Sequence, residues 1–173
     1  MVVKMSDLFP VETYDANGVL ISTVDNRDLP TLMQNMQDEV NDYRDMVIEN
    51  GMYYMGHHWS SDAPSRQNML GAISTILVGV ALPSTFVWRD TDNIDVPFNS
   101  TQMITLGTLT AQWVQQVYTA SWKFKGTVSN CVTLADFDAL TSVPSLPWPT
   151  GNMDGTMANA IAAEQAMANS SGD

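Results

Sequence analysis

Met55-Gly56-His57-His58-Trp59-Ser60-Ser61-Asp62-Ala63-Pro64-Ser65-Arg66 sets a tight turn, an aromatic run and a helix start in immediate succession. The Met55-Gly56 pair between two short aromatic-rich runs predicts a hairpin over residues 52–59. Asp62 supplies a capping oxygen, and Pro64 fits the first helical turn, where a missing N–H costs nothing. Met69, Ile73, Ile76, Leu77 and Val80 then line one face, and Pro83 is the expected stop.

Working outward, Phe86 and Trp88 alternate ahead of the turn Arg89-Asp90-Thr91-Asp92-Asn93, and Ile94, Val96 and Phe98 return, which predicts a second hairpin. Asn99 with Gln102 three positions on matches a capping box. It opens a long helix whose buried stripe is Leu106, Leu109, Trp113, Val117, Ala120 and Phe124. At 1.5 Å per residue, about 24 residues make a rod of roughly 36 Å.

Upstream, Val11-Glu12-Thr13-Tyr14 and Val19-Leu20-Ile21-Ser22-Thr23 flank Asn17-Gly18, a pair suited to a type I′ turn. A lone two-stranded ribbon is marginal in water, so it is expected to pack on the core or on a neighbour. Asp28 caps the next helix, with Pro30 in its first turn. Met36, Val40, Tyr43 and Val47 then follow at coiled-coil steps, though over too short a span to outweigh an ordinary amphipathic helix. Glu49-Asn50-Gly51 is a left-handed stop. Downstream of Gly126, Val143-Pro144-Ser145-Leu146-Pro147-Trp148-Pro149 predicts an extended strap anchored by Trp148, and an Ala- and Met-rich segment with Met153, Met157 and Ile161 closes the chain.

The fold class this implies is α+β: a small helix-hairpin-helix core with an N-terminal hairpin and helix and an extended C-terminal arm. The expected organisation is an N-terminal arm over residues 1–51, a compact core over 52–126 and a C-terminal arm over 127–173. Length allows a real core, since a domain of about 150 residues buries roughly 70% of its unfolded surface. The single Cys131 forms no internal bridge and fits a reducing compartment, hence cytoplasmic synthesis. The start lacks an apolar leader run, and the longest uncharged apolar run is broken by Gly79, so neither a signal peptide nor a membrane span is expected.

Net charge is −12, and its distribution says more than its size. Residues 1–50 hold ten acids against three bases, residues 51–130 four against four, and residues 131–173 five against none. Acidic arms repel phosphates and anionic lipid, so nucleic acid and membrane surfaces are not expected partners, and basic protein surfaces are. The partner-binding residues expected on the arms are Met36, Val40, Tyr43, Pro147, Trp148, Pro149, Met153, Met157 and Ile161.

Candidate chemistry is sparse. His57 and His58 are adjacent, which points them to opposite faces of a strand and makes a poor chelate, and no HxH, HxxxH or CxxC spacing occurs. One of them is expected to fill a turn or bond the start of the Asp62 helix. G-x-S-x-G, G-x-x-x-x-G-K-[ST] and G-x-G-x-x-G are missing from the sequence. Asp90, Asp92 and Asp95 invite a carboxylate or calcium reading, but Asp and Asn at a hairpin tip account for them more simply. Arg66, in a first helical turn where cations are disfavoured, is expected to have an acidic partner. No cofactor, no metal and no catalytic role are expected.

Taken together, Gly56-His57, Asp62-x-x-Ser65-Arg66, Gly71-Ala72, Trp88 with its Asp/Asn turn, Val96, and a helix carrying Val114-Gln115 and ending near Lys123 resemble a domain of unknown function that recurs in tail proteins of tailed bacteriophages, often in or beside tail-fibre and tail-fibre-assembly genes. The resemblance covers residues 52–126, under half of the chain. Pro97-Phe98-Asn99-Ser100 departs from the Thr-Leu-Thr type helix start more common there. The resemblance implies a structural virion component made in the host bacterial cytoplasm: a fibre-attachment, adaptor or hinge protein near the baseplate or tail tip, present in several copies and docked on fibre, baseplate or tail-tip subunits. A fibre-assembly chaperone and a tail-associated envelope-degrading enzyme are the alternatives.

Overall fold

The computed structural model describes residues 11–155. Met157 and Ile161 lie outside them. The fold is mixed α+β, built from helices and small antiparallel strand pairs. In chain order the described elements are β1 (Val11–Tyr14), β2 (Leu20–Val24), α1 (Leu29–Asn50), β3 (Met52–Tyr54), β4 (His57–Trp59), α2 (Ala63–Leu77), β5 (Val87–Arg89), β6 (Asp95–Pro97), α3 (Ser100–Ser129) and α4 (Leu134–Asp138), followed by a 3-10 turn at Val143–Ser145. Strand pairing joins β1 to β2, β3 to β4 and β5 to β6. The chain divides into two compact units, residues 1–43 with 121–147 and residues 44–120 with 148–173.

In the first unit, Ala16 and Asn17 form the turn, the Gly18 amide bonds the Asp15 carbonyl at 3.0 Å, and Gly18 takes φ +79°. The Asp15 carboxylate accepts from the amides of Asn17 and Val19, both at 2.8 Å. Asn17 does not adopt positive φ, so the expected two-residue type I′ turn is replaced by a longer loop with one left-handed glycine, held by an aspartate that bonds its own turn. Asp28 caps α1 through the Thr31 amide at 3.0 Å. Arg27 forks onto Asp138 at 2.6 and 2.7 Å and also holds Asp25, while Gln37 reaches Ser129 at 3.1 Å and Lys125 bonds Asn41. Val40, Phe124, Val128, Cys131 and Val143 are buried.

α3 and the segment after it also differ from expectation. The helix runs through Gly126 to Ser129, and α4 follows, opened by a capping box between Thr133 and Asp136. A five-residue helix with two periodic positions leaves no hydrophobic rhythm to read, so the sequence showed only irregular chain there.

The second unit holds the main core. Met52, Trp59, Met103, Leu106, Leu109, Trp113 and Val117 are buried together, with Phe98 edge-on to Trp59 at 5.3 Å between ring centroids. Asn99 and Gln102 form the expected box at the start of α3. At the β3–β4 turn, Met55 and Gly56 both have positive φ, 56° and 72°, so this is where the type I′ turn lies. Gly51, which ends α1 at φ +86°, is required twice over: a Cβ there would lie 2.2 Å from the Trp59 carbonyl oxygen.

α2 ends at Leu77, not at Pro83. The Gly79 amide bonds Ile76 O at 2.9 Å and the Val80 amide bonds Thr75 O at 3.2 Å, a Schellman stop on a left-handed glycine. Leu77 and Val80 are therefore exposed, and Ile94, expected on the returning strand's apolar side, is half-exposed too, while Val96 and Phe98 are buried.

Residues 151–153 lie along β3. The Tyr53 amide bonds Gly151 O at 2.8 Å, the Met153 amide bonds Tyr53 O at 2.9 Å, and Asn152 forms a parallel bridge with Tyr53. Asp154 then accepts from the Met55 amide at 2.6 Å.

Candidate functional site

The side chains singled out by the sequence converge on the two hairpin turns of the second unit, and they spend their polar groups on each other and on backbone. His57 Nδ1 lies 2.8 Å from Asp90 Oδ2. The other oxygen of Asp90 accepts from the amides of Asp92 and Ile94 at 2.9 and 2.8 Å, closing the β5–β6 loop, where Asn93 takes φ +64°. Burial pushes the Asp90 carboxyl upward, but the Ile94 amide, His57 and the Asp92 amide together hold it below the ordinary carboxylate range.

His58 stacks on Tyr53 at 4.4 Å between rings, and its Nδ1 pairs with Thr91 Oγ1 at 2.9 Å. The Thr91 amide bonds the His58 carbonyl at 2.9 Å, which ties β4 directly to the second loop. Both histidines thus bond the β5–β6 loop; of the two roles expected for one of them, this is closer to filling a turn than to a bond with the start of α2. Spacing along one strand could not reveal a loop 33 residues away.

At α2, Asp62 caps through the Ser65 amide at 2.6 Å, and its carboxyl is held low by Ser65, through hydroxyl and amide. Arg66 donates to the Ser61 carbonyl at 2.9 Å, and Ser61 Oγ bonds the Ile48 carbonyl. The hydrogen bond of Arg66 thus goes to a backbone oxygen and not to an acid, while its charge also helps to lower the Asp62 carboxyl. Asp95 pairs with Arg89 at 2.7 and 3.0 Å, which lowers the Asp95 carboxyl. Among the described residues no three His, Cys, Asp or Glu side chains are grouped to hold a metal ion, and no helix is long and apolar enough to cross a membrane.

The residues expected to grip partners fall in both units. Met153 is 1% exposed inside the main core, and Trp148 packs half-buried against it with Pro149 also half-buried, while Pro147 is exposed. Val40 is fully buried, and Met36 and Tyr43 are half-buried. In this conformation Val40 and Met153 are taken up by the chain itself. Strap composition rules against an α-helix, and where an extended segment was expected the chain takes a 3-10 turn at Val143–Ser145; the composition carries no sign of which surface receives it.

Sequence reasoning missed a groove beside α2 and α3. It has a volume of about 680 Å³ and is lined by Ile73, Gly107, Thr108, Ala111, Gln112, Gln115 and Gln116. Its readable signal was a want of charge: no Asp, Glu, Lys or Arg occurs in residues 67–88 or 100–122.

A family model described as Domain of unknown function (DUF4376) matches residues 32–141, more than half of the chain. No curated protein and no solved structure matches. The matched span begins inside α1 and continues past α4, so it encloses the 52–126 stretch and extends beyond it on both sides.

Proposed function

The chain belongs to the DUF4376 family, and on that premise we propose that it is a structural component of a bacteriophage tail, a fibre-attachment, adaptor or hinge protein that works by docking on other tail subunits. The observation that carries this reading is the state of the family-like residues. His57 and Asp90, and His58 through Thr91, fasten one hairpin turn to the other, and Asp62 and Arg66 bond backbone at the start of α2, which is the work of a scaffold. A rigid platform of this kind, flanked by acidic segments, supports attachment to basic surfaces of neighbouring subunits.

The test is recovery from particles. With the gene tagged in its native context, particles purified by density should retain the chain at a fixed ratio to the major tail protein. Loss of the chain on maturation would replace this reading with that of an assembly chaperone. Clearing of envelope glycan by the purified chain, abolished in Asp90→Asn or His57→Gln, would replace it with that of an enzyme.

A further inference from the structure

Two Asn-Gly pairs occur in the chain, Asn17-Gly18 and Asn50-Gly51, and the fold treats them differently. An asparagine followed by glycine is prone to modify itself, because the glycine amide nitrogen, with no Cβ to shield it, can attack the asparagine side-chain carbonyl carbon. At Asn50 the attacking amide is locked. Gly51 is buried where α1 ends, its amide bonds the Ile48 carbonyl at 3.1 Å, and Ile48 is itself buried. A Cβ at residue 51 would lie 2.2 Å from the Trp59 carbonyl oxygen, a measure of how closely β4 covers that backbone. At Asn17 the surroundings are open. Ala16, Asn17, Gly18 and Val19 are exposed, nothing lies within 4 Å of where a Gly18 Cβ would stand, and among the described residues β1 and β2 pair only with each other. A two-stranded ribbon is marginal in water, so this turn opens far more often than a helix end backed by the core.

We propose that Asn17 is a self-modification site, converted to isoaspartate and aspartate by the neighbouring Gly18 amide, and that the conversion unfastens the β1–β2 turn. Gly18 N bonds to Asn17 Cγ, the Cγ–Nδ2 bond breaks, and the Gly18 amide proton leaves with the side-chain nitrogen as ammonia. Water then opens the resulting succinimide. Cleavage at the backbone carbonyl leaves isoaspartate, cleavage at Cγ leaves aspartate, and no atom is oxidised or reduced. Either product sets a second carboxylate beside Asp15, whose own carboxylate closes the turn by accepting from the Asn17 and Val19 amides at 2.8 Å. The Val19 and Asn17 amides, with the Asn17 side chain adding to them, hold the Asp15 carboxyl below the ordinary carboxylate range, and conversion replaces that side-chain donor with a like charge. Isoaspartate also lengthens the main chain between residues 17 and 18. The bond from the Gly18 amide to the Asp15 carbonyl and the pairing of Tyr14 with Leu20 can then no longer both be kept. A chain of net charge −12 thereby gains a further negative charge without an enzyme. The inference does not depend on the tail reading and survives its failure.

Incubating the full chain in mildly alkaline buffer and mapping it by mass spectrometry tests this. Cleavage after Lys4, Arg27, Arg44 and Arg66 puts the two pairs on separate peptides. In the folded chain residue 17 should convert at least ~10-fold faster than residue 50, because the Gly51 amide is freed only when the core-backed end of α1 opens. In denaturing urea the two rates should draw together, which assigns the difference to the fold. Equal rates in the folded chain, or rates that stay as far apart in urea, overturn the inference. Hydrogen exchange reads the second step. The Asp15 and Val19 amides, which hold the turn, should exchange faster in the converted fraction than in the fresh chain. An Asn17→Gln chain aged in parallel should match its own fresh sample, since the longer side chain closes a larger ring far more slowly. Unchanged exchange in the converted fraction, or an equal rise in the aged Asn17→Gln chain, overturns the unfastening.

Discussion

Asp90 stands between His57 and its own loop: one oxygen meets the imidazole at 2.8 Å and the other takes two backbone amides, so a single carboxylate locks the β5–β6 turn to β4. Its pKa is held below the ordinary carboxylate range. A carboxyl depressed in the folded state contributes stability that is complete above its unfolded pKa and is lost as pH falls through the folded one. Asp62, Asp95 and Asp138 are shifted in the same direction. The thermal midpoint should therefore hold between pH 7 and pH 5 and drop below about pH 4. Asp90→Asn should lower the midpoint at neutral pH and make the acid slope shallower. A slope identical to wild type would show that Asp90 is not part of it.

Gly51 and Gly126 make opposite forecasts for the same substitution. At Gly51 the left-handed φ and the Trp59 carbonyl both oppose a methyl group, so Gly51→Ala should cost about 3 kcal/mol or more. At Gly126, inside α3 with open space where a Cβ would go, alanine should stabilise by about 0.5–1 kcal/mol through helix propensity. Urea unfolding of both variants reads the pair. Equal effects would mean that the α1 stop is not held as described.

Met55 is a side chain in a glycine's conformation, at φ 56° beside Gly56. An Asn-Gly pair is the preferred occupant of such a turn, and left-handed backbone is far less costly for Asn. Met55→Asn should raise stability by about 0.5–1 kcal/mol, since the bond from the residue 55 amide to Asp154 is kept. Chemical denaturation would show it, and a loss of stability would mean that the half-exposed methionine side chain packs more than the strain costs.

The strap should be ordered in the isolated chain. Amides of Tyr53 and Met153, which pair β3 with residues 151–153 just past the strap, should resist hydrogen exchange as strongly as those of α3. Met153→Ala should cost about 2–5 kcal/mol, as expected for a methionine removed from a packed core. Fast exchange at both amides in the purified protein would return the strap to the role of an arm that waits for a partner.

How much was legible follows from range. The caps at Asp28, Asp62 and Asn99 and the stripe from Leu106 to Val117 were readable because each is decided within a turn or two of helix. The stop of α2 was misplaced because Pro83 is the louder signal, while the nearer Gly79 acts through φ and two backbone bonds. The left-handed turn was assigned to Asn17-Gly18 by residue preference, but the Asp15 carboxylate supplies a competing closure at that site, and Met55 is forced into the geometry by the strands it joins. The joints of the candidate site, His57 to Asp90 and His58 to Thr91, were invisible for a different reason. They are set by how two hairpins pack, which no local pattern encodes.

The bond from Asp154 to the Met55 amide closes a loop of 99 residues. During synthesis the β3–β4 hairpin leaves the ribosome long before the carboxylate that finishes it, so the aromatic core waits, partly uncovered, until residue 154 has emerged. A stalled nascent chain ending at Leu146 would therefore leave the pocket of Met153 open to chaperones, and release of the following few residues would fill it.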